Sequence, residues 1–458
     1  MTEMNRQPYI PTNAALMPYC NRFREFCDGA DSPQAFLERC LEKIAGLNKE
    51  IKAFTALNIE SARRAADAAT RRYKAGKPLS HIDGMPVGVK DIVETADMPT
   101  QMGSPIFADW QPRFDAAAVS ALKQAGAVIL GKTVTTEFAA TVPGLTRNPF
   151  DPARTPGGSS SGSAAAVGIG MLPAALGTQV IGSILRPASY CGCFGFKPTV
   201  GALNRGGSLD YMSQSCLGVL AASLADAWAV AYAISSRVGG DPGYPGLYGD
   251  EKLKTAYRPD RLIRLDTGGF DKLGEETRHI FENTLDRLCS AGVEILSRHD
   301  LPAIEQYEVA IAESLTLSRK INIWEFHWPL CSFEDRLPGN LSEVSQGRLA
   351  AAAEMTLADY RKWIEVRANT RRLHHNLADV ANGFVTLSAT GAAPLGLEST
   401  GDPVFNLPAS FIGAPALTLP CLSVEALPLG IQLMGFKDED ESLFSHAQWV
   451  ENILLAGY

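Results

Sequence analysis

The sequence lacks the markers of several large classes of protein. Its 458 residues carry a net charge of −8 without a basic stripe or a block of like charge, so nucleic acid is not expected as a partner. No basic patch followed by an apolar run opens the chain, which argues against a secretory signal. The most apolar segment, residues 216–234, is interrupted by Asp226 and predicts a buried helix rather than a membrane span. We therefore expect a cytoplasmic protein that binds no membrane.

Patterns that hold metals, nucleotides or disulfides are also missing. The nine cysteines are an odd number, and Cys191 and Cys193 are separated by one residue, which is the wrong spacing for a zinc knuckle. Such scattered cysteines are typical of reduced thiols. Neither HExxH, GxxxxGK[ST] nor GxGxxG occurs. The sequence therefore predicts neither a metal site nor a cofactor.

The chain alternates between helical and strand-like patterns. Residues 31–76 predict helices, beginning at Asp31 or Ser32, whereas residues 84–93 alternate as a strand does. Residues 116–135 follow as helix, glycine and strand. Strand patterns return at residues 427–435, but none is evident from 240 to 395. Without a repeat or a low-complexity linker, this alternation predicts one large α/β domain with layered helices.

Small hydroxyl residues and glycines are concentrated in TPGGSSSGSAAAVG, residues 155–168. A plain interpretation is a polar turn that caps a helix, with Ser161 or Ser163 as the N-cap. That interpretation uses one serine and leaves the others unexplained. A second interpretation is hydroxyl-based catalysis, in which a neighbouring base activates a serine. The nucleophile-elbow pattern GxSxG is absent, so any such serine needs a different setting.

The base for such a serine is not an obvious histidine. None of the seven histidines follows a strand or a glycine-rich turn, and His374 and His375 lie in a charged helical stretch that predicts exposure. Lys90, in MPVGVKDIV, has mostly apolar neighbours. Burial would lower the pKa of its amine and let it accept protons near neutral pH. Lys132, in ILGKTVT, has a similar setting and stays a second candidate.

Several segments together resemble the amidase signature family. They are GVKD at 88–91, Asn148-Pro149, GGSSSGSAAAV at 157–167, ALGTQVIGSILRPASYCGCFGFKPT at 175–199 and PLGIQ at 428–432. The likeness covers most of the chain and is closest in motif to a malonamidase-like subgroup. It implies a mixed central β-sheet covered by helices on both faces, in a single amidase-signature domain.

The family resemblance also implies how that domain, residues 1–458, is organised. A helical N-terminal region would span residues 1–80, and the signature core would follow at 81–235. A helical variable region would cover 236–395 and shape a pocket. The core would return at 396–458.

The family resemblance assigns three catalytic side chains. Ser183 would be the nucleophile, Ser159 the bridging serine that follows a cis peptide bond, and Lys90 the base. A neutral Lys90 would accept the proton of Ser159, which would accept that of Ser183. Attack on the carbonyl carbon would then give an acyl-enzyme, which water releases.

Further residues would support this Ser–Ser–Lys relay. The backbone amides of Val180, Ile181 and Gly182 would form the oxyanion hole. Thr178 would orient the hydroxyl of Ser159, and Ser161 would belong to the same hydrogen-bond network. The remaining serines of the loop are expected to be structural.

Other positions are predicted to shape substrate binding or depart from the family pattern. Arg186 would contact a substrate carboxylate, or alternatively form a structural salt bridge. The family usually has threonine and glycine where this chain has Val180 and Ile181, so Ile181 is expected to wall one side of the acyl pocket. Ser215 and Ala222 replace an aspartate and an arginine, which is consistent with the joint loss of a structural pair.

The sequence thus predicts an amidohydrolase that cleaves C–N bonds of small amides, with carbamates, urethanes, aryl amides and esters as related substrates. Its expected partner is a small molecule, and assembly as a homodimer is compatible with the sequence. Two alternatives stay open. One is an amidotransferase subunit with a glutaminase-like role, and the other is a non-catalytic binding protein that has kept the fold.

Overall fold

A computed structural model of the chain describes residues 8–140 and 142–456. The strands within these ranges are β1 Phe54–Leu57, β2 Pro86–Lys90, β3 Val128–Thr133, β4 Ala174–Gln179, β5 Phe194–Lys197, β6 Cys216–Ala221, β7 Arg261–Arg264, β8 Glu294–Leu296, β9 Phe384–Leu387, β10 Ala416–Val424 and β11 Leu427–Met434. The helices are α1 Phe23–Asp28, α2 Pro33–Ile51, α3 Ile59–Lys74, α4 Ala117–Gln124, α5 Ser161–Gly168, α6 Leu185–Cys191, α7 Leu224–Val238, α8 Glu275–Ser290, α9 Pro302–Ala312, α10 Ser314–Glu325, α11 His327–Arg336, α12 Glu343–Ala353, α13 Leu357–His375, α14 Leu407–Ile412 and α15 Asp440–Leu455.

The strands form a single mixed sheet in the order β1-β3-β2-β4-β6-β5-β10-β11-β9-β7-β8. Strand β2 is parallel to both β3 and β4, whereas β4, β6, β5, β10, β11 and β9 pair antiparallel in turn. The last pairs, β9 with β7 and β7 with β8, are parallel again. The predicted single α/β domain with a mixed central sheet is therefore confirmed.

Both faces of the sheet are buried under helices. In β4, Ala175 joins a core cluster that includes apolar residues of α2, α3 and α5. Its neighbours Ala174 and Leu176 point to the other face and join a larger cluster, with residues of α4, α7 and α15. Strand β6 alternates in the same way, with Leu220 on one face and Val219 on the other. This two-sided burial explains why the central strands lack a clean polar–apolar alternation.

The helices predicted for residues 31–76 are present as α2 and α3, but strand β1 lies between them, which the prediction missed. Ser32 is the N-cap of α2 and accepts a hydrogen bond from Ala35 N at 3.1 Å, so of the two predicted caps it is Ser32 that acts. Helix α3 follows, and residues 84–93, 116–135 and 427–435 contain β2, α4 with β3, and β11 as predicted.

The prediction of one buried helix over residues 216–234 is wrong. The segment is strand β6, then a turn, then α7, which begins after the N-cap Ser223. Asp226 does not interrupt an apolar helix; its buried carboxylate accepts hydrogen bonds from the backbone of Tyr19 and Cys20. It therefore fastens the N-terminal segment to the core. No helix of the described chain is long and apolar enough to span a bilayer.

Two further expectations for the C-terminal half need correction. Strands β7, β8 and β9 lie between residues 240 and 395, where no strand pattern was evident. His374 is 4 % exposed rather than solvated, and it stacks on Phe384 with ring centroids 5.1 Å apart. Burial lowers its pKa to about 3, so the ring stays neutral. His375, one position later on α13, is exposed as predicted.

Candidate active site

Lys90 is the last residue of β2 and is fully buried. Its Nζ lies 2.7 Å from Ser159 Oγ and 2.8 Å from Thr178 Oγ1, and it also contacts Thr178 O at 3.4 Å. Strands β2 and β4 are parallel neighbours, so the side chain at the end of β2 reaches the end of β4, where Thr178 stands. The structure therefore brings Lys90 and Ser159 together across 69 residues of sequence.

Burial sets the protonation of Lys90. Desolvation lowers the pKa of its amine to about 7, while the negative charge of Asp210 acts in the opposite direction. A substantial fraction of Lys90 is consequently neutral at neutral pH and able to accept a proton. Thr178 was predicted to orient Ser159; its hydroxyl bonds instead to Lys90.

The glycine–serine segment fixes its serines in different ways. The Gly158–Ser159 peptide bond is cis, as the family resemblance implied. Ser160, rather than Ser161 or Ser163, occupies the N-cap of α5, and it makes no side-chain capping bond. Ser161 Oγ donates to Val134 O at 3.4 Å, so in the described structure it anchors the loop that follows β3 rather than contacting Lys90 or Ser159.

The other two serines are structural, as expected. Ser160 Oγ bonds to the carbonyl of Thr178 and accepts from its amide, each at 3.3 Å. Ser163 Oγ bonds to Thr133 Oγ1 at 2.7 Å and to Leu176 O at 2.9 Å. Helix α5 lies so close to the strands that a Cβ at Gly162 would collide with Ala53 O. Small residues are therefore a packing requirement of this helix.

Ser183 stands in the turn between β4 and α6 and is half-buried at the wall of a cavity of about 370 Å³. Its carbonyl accepts a hydrogen bond from Ser160 N at 3.2 Å, which ties the turn to the residue after Ser159. Among the described contacts there is no hydrogen bond between the hydroxyls of Ser159 and Ser183. The Lys90–Ser159 half of the predicted relay is thus in place, and Ser183 lines the cavity in the turn that is bonded to Ser160.

The loop from Val180 to Ser183 has all four of its carbonyl groups engaged. Gln214 Nε2 donates to Val180 O at 2.9 Å, and Ser410 Oγ donates to Ile181 O at 2.9 Å. The carbonyl of Gly182 accepts from Arg186 N at 3.1 Å, and that of Ser183 accepts from Ser160 N.

The amides of the same four residues, in contrast, donate to no acceptor within residues 8–140 and 142–456. The C=O and N–H of a trans peptide point in opposite directions, so the held carbonyls of Val180, Ile181 and Gly182 turn the amides of Ile181, Gly182 and Ser183 away from those contacts. Val180, Ile181, Gly182 and Ser183 all line the cavity. None of the first three has a positive φ, so the bulk of Ile181 imposes no left-handed backbone. The loop thus presents a row of unused donors, suited to a developing oxyanion.

Sequence analysis missed the side chains that hold this loop. Gln214 is fully buried, and Gln179 Oε1 accepts from the amides of Ile184 and Leu185 at 2.8 and 3.0 Å. Gln179 Nε2 donates to Ser410 Oγ at 3.0 Å. Gln214 and Ser410 are 34 and 229 residues from the loop positions they contact, so no local pattern could identify them.

Arg186 makes hydrogen bonds to the protein itself. Its Nη2 donates to Gly158 O at 2.7 Å and to Thr400 Oγ1 at 3.0 Å, and its Nε donates to Thr400 O. The guanidinium makes no ion pair among the described residues, which does not match the alternative of a structural salt bridge. It also lines the cavity, so contact with a substrate carboxylate stays a prediction.

Ser215 lies next to a buried carboxylate five positions earlier in the chain. Ser215 Oγ hydrogen-bonds the carboxylate of Asp210, which is 6 % exposed and acts electrostatically on Lys90 and Arg205. Ala222 is buried and its amide donates to Pro173 O. The interpretation of Ser215 and Ala222 as a jointly lost charge pair stays a prediction.

Lys132, the second candidate base, has a different environment from Lys90. Its Nζ lies 3.1 Å from Asp91 Oδ1, and both side chains are fully buried. It also donates to Thr100 Oγ1 at 2.6 Å and to Pro99 O. Among the described contacts Lys132 bonds to no serine of the candidate site, so Lys90 is the better base. The described residues contain no group of three metal-ligating side chains.

Comparisons with known proteins identify the family that the chain matches. The family model described as Amidase matches residues 35–444. A curated relative from Chloroflexus aggregans, a subunit of its glutamyl-tRNA(Gln) amidotransferase, is 32% identical over 450 residues, which cover 89% of this chain and 90% of the relative.

Two solved structures show the same fold over nearly the whole chain. One, described as an amidase, superimposes with a TM-score of 0.81 and 27% identity, covering 95% of this chain and 99% of that one. The other, native peptide amidase from Stenotrophomonas maltophilia, gives a TM-score of 0.77 and 26% identity, covering 95% and 96%.

Proposed function

The chain belongs to the amidase signature family, and we propose that it hydrolyses the C–N bond of small linear amides with Ser183 as the nucleophile. One observation supports this role above the others. A buried lysine with a pKa of about 7 bonds to Ser159, next to a turn whose residues line the same cavity as Ser183 and whose amides have no acceptor among the described residues. A base, a bridging hydroxyl, a nucleophile and oxyanion donors are the parts that acyl transfer requires.

In the proposed acylation step, neutral Lys90 accepts the proton of Ser159, and Ser159 accepts that of Ser183. The Ser159–Ser183 hydrogen bond forms when the Ser183 hydroxyl turns towards Ser159, since catalytic hydrogen bonds are often incomplete before substrate binds. Ser183 Oγ attacks the carbonyl carbon, and the developing oxyanion is stabilised by amides of the Val180–Ser183 loop. The proton returns through the relay to the leaving amine, and water then releases the acid from Ser183.

Carbamates, urethanes, aryl amides and esters are proposed as related substrates, because each presents a similar carbonyl to Ser183. The malonamidase-like likeness is part of the same proposal, and it depends on Arg186 contacting a substrate carboxylate. Ile181, which lines the cavity, would restrict the acyl group to narrow or apolar shapes.

Amine release from a panel of aliphatic amides, anilides and carbamates tests the proposal. Ser183→Ala should reduce kcat by at least about 10³-fold, since covalent catalysis is lost while binding remains. Ser159→Ala and Lys90→Ala should each lower kcat by about 10²–10⁴-fold, which is the usual contribution of proton transfer to the rate. Ser236→Ala, at an exposed position of α7, is the control and should match the wild type. Full turnover by Ser183→Ala would refute the assignment.

A second candidate function is supported by the relatives at 32% identity, which are amidotransferase subunits. In that case glutamine would be the substrate, and Ser183 would release ammonia for a partner protein. Glutamine hydrolysis that depends on a co-purifying partner would favour this function over hydrolysis of free amides. A non-catalytic binding role would be left only if no substrate of either kind is turned over.

A further inference from the structure

We propose that the cavity recognises a substrate that carries a carboxylate, held by Arg348 and Arg319. This binding mode is an alternative to a carboxylate contact at Arg186, whose Nε and Nη2 already donate to Thr400 and Gly158. This inference rests on the proposed function and specifies its substrate class. Ser183 and both arginines line the same cavity of about 370 Å³. The two arginines come from α12 and α10, which belong to the region between β8 and β9 and not to the catalytic core.

The helices aim a defined set of side chains at this space. On α10, Leu315, Arg319 and Asn322 line the cavity, and their spacing of four and three residues places them on one helix face. On α12, Val344 and Arg348 are likewise one turn apart and line it. Both arginines thus lie on the cavity-lining faces of their helices, with Arg348 half-buried and Arg319 exposed.

Neither arginine has an anionic partner in the described parts of the chain. Arg348 is half-buried and forms no hydrogen bond or ion pair there, and Arg319 forms none either. Burial, and the neighbouring charge of Arg319, both lower the pKa of Arg348. Two like charges that repel each other beside a cavity are stabilised when an anion binds between them.

The nearby acidic groups do not replace that anion. Glu137 acts on Arg348 electrostatically, but its carboxylate accepts hydrogen bonds from Ser342 and from Ser345 Oγ, the latter at 2.7 Å. Glu398, also on the cavity wall, is exposed, and its carboxylate accepts from Leu397 N. Both carboxylates are therefore held elsewhere.

Asn322 gives a second, independent indication of a ligand. It is 7 % exposed and lines the cavity, yet its buried Oδ1 has no hydrogen-bond partner, and its amide makes no other bond within the described residues. An unpartnered buried amide costs free energy unless something binds it. Nδ2 of Asn322 can donate to a carboxylate placed between α10 and α12, whereas Oδ1 calls for a donor on another part of the same ligand.

The chemistry of the donors selects the kind of anion. Guanidinium groups bind the planar pair of carboxylate oxygens with two parallel hydrogen bonds. The cavity is near the small end of ligand sites, so the substrate is short. Monoamides of short dicarboxylic acids, with the amide at Ser183 and the free acid at Arg348 and Arg319, satisfy both conditions.

The test compares such monoamides, derived from succinic, glutaric and adipic acid, with their methyl esters of the same length. The wild type should hydrolyse the free-acid amide at least about tenfold faster in kcat/KM than the ester. Arg348→Met and Arg319→Met should each remove most of that preference by raising KM for the free-acid amide. The kcat/KM for the amide that carries the methyl ester should stay within about twofold of the wild-type value. Arg24→Met, at an arginine that is 93% exposed, should keep the wild-type preference.

Three outcomes separate this inference from the proposed function. If amides are hydrolysed through Ser183 but the free acid gives no advantage, the carboxylate site is wrong and the hydrolase stands. If the preference exists but survives both arginine substitutions, the site is also wrong. If no amide is turned over, calorimetric titration of Ser183→Ala with glutarate decides: saturable binding that Arg348→Met weakens at least about tenfold supports the site, and its absence refutes it.

Discussion

At the scale of single residues, the protonation of Lys90 predicts the pH dependence of activity. The relay requires the neutral amine, and burial lowers its pKa to about 7. Below that pH the amine is protonated, so kcat/KM for a neutral amide should fall about tenfold per pH unit, and above it the profile should level off. A pH–rate profile measured with a neutral amide checks this. A flat profile between pH 5 and 8 would contradict the role of Lys90.

Asp210 offers a second measurement on the same group. Its negative charge raises the pKa of Lys90, opposing the larger effect of burial. Asp210→Asn should therefore shift the acid limb of the profile to lower pH, while Asp300→Asn, at an exposed site, should leave it unchanged. A shift to higher pH would mean that Asp210 acts on the site in another way.

Gln214 is predicted to position the Val180–Ser183 loop, whose amides would stabilise the oxyanion. Gln214→Leu removes the donor to Val180 O, frees that peptide to rotate, and should lower kcat by about tenfold or more with little change in KM. The effect is smaller than direct loss of an oxyanion donor, because Ile181 O remains held by Ser410. Steady-state kinetics with Gln124→Leu, an exposed glutamine of α4, as control would test it. A rise in KM at constant kcat would indicate a binding role instead.

Sequence patterns identified individual residues of the site unevenly. Lys90 could be found because a lysine in an apolar strand is unusual, and Ser159 because it lies in a glycine–serine segment. Gln214 and Ser410 could not, since each contacts the loop only after distant segments have packed together. Sequence analysis identified Thr178 but assigned its hydroxyl to Ser159, whereas the hydroxyl bonds to Lys90. The sequence does not show which of two neighbouring polar groups a side chain contacts.

At the scale of elements, the N-terminus of α12 is predicted to affect substrate binding. Ser342 is its N-cap, accepting from Ser345 N at 3.2 Å, and both serines donate to Glu137, next to the cavity residue Phe138. Ser342→Ala should cost about 1 kcal/mol of stability and raise KM for a carboxylate substrate, because Arg348 is on this helix.

Thr356→Ala is a matched control for that change. Thr356 caps α13 in a capping box at an exposed position, so its loss should cost similar stability without raising KM. Urea unfolding and steady-state kinetics measure the two effects separately. An equal rise of KM in both variants would show that general loosening, not α12, controls binding.

The strands between 240 and 395 show why elements were missed by sequence analysis. Strand β8 has three residues, and β7 and β9 have four each, too few to establish a period against the long helices around them. The segment from Cys216 was assigned to one helix because β6 is buried on both faces and reads as a continuous apolar run. Long amphipathic helices such as α2 were predicted well, since their period extends over several turns.

At the scale of the whole molecule, the buried Lys132–Asp91 pair is predicted to support the folded state. Both side chains are fully buried, so Lys132→Met leaves an uncompensated carboxylate in the core and should cost about 3–5 kcal/mol. Lys123→Met breaks a partly exposed pair with Asp115 and should cost below about 1 kcal/mol. Denaturant unfolding compares the two. Equal unfolding midpoints for Lys132→Met and Lys123→Met would show that the buried ion pair stabilises the fold no more than the partly exposed one.

The general architecture could be predicted from the sequence because layered α/β order follows from alternating patterns. The strand order could not, since β5 and β10 pair across more than two hundred residues of intervening chain. The homodimer, the cytoplasmic location and the carbamate activity stay predictions. Each depends on an assembly, a cellular address or a substrate, none of which the fold of a single chain determines.

The walls of the cavity come from separate parts of the chain. Its reactive wall comes from the turn between β4 and α6, whereas Arg319, Asn322 and Arg348 come from an insertion of helices between β8 and β9. Under the proposed function, the helices that select the substrate are therefore separate in the chain from the residues of the relay. Exchanging α10 and α12 for those of a relative should then change which substrate is preferred and leave the dependence of turnover on Ser183 unchanged.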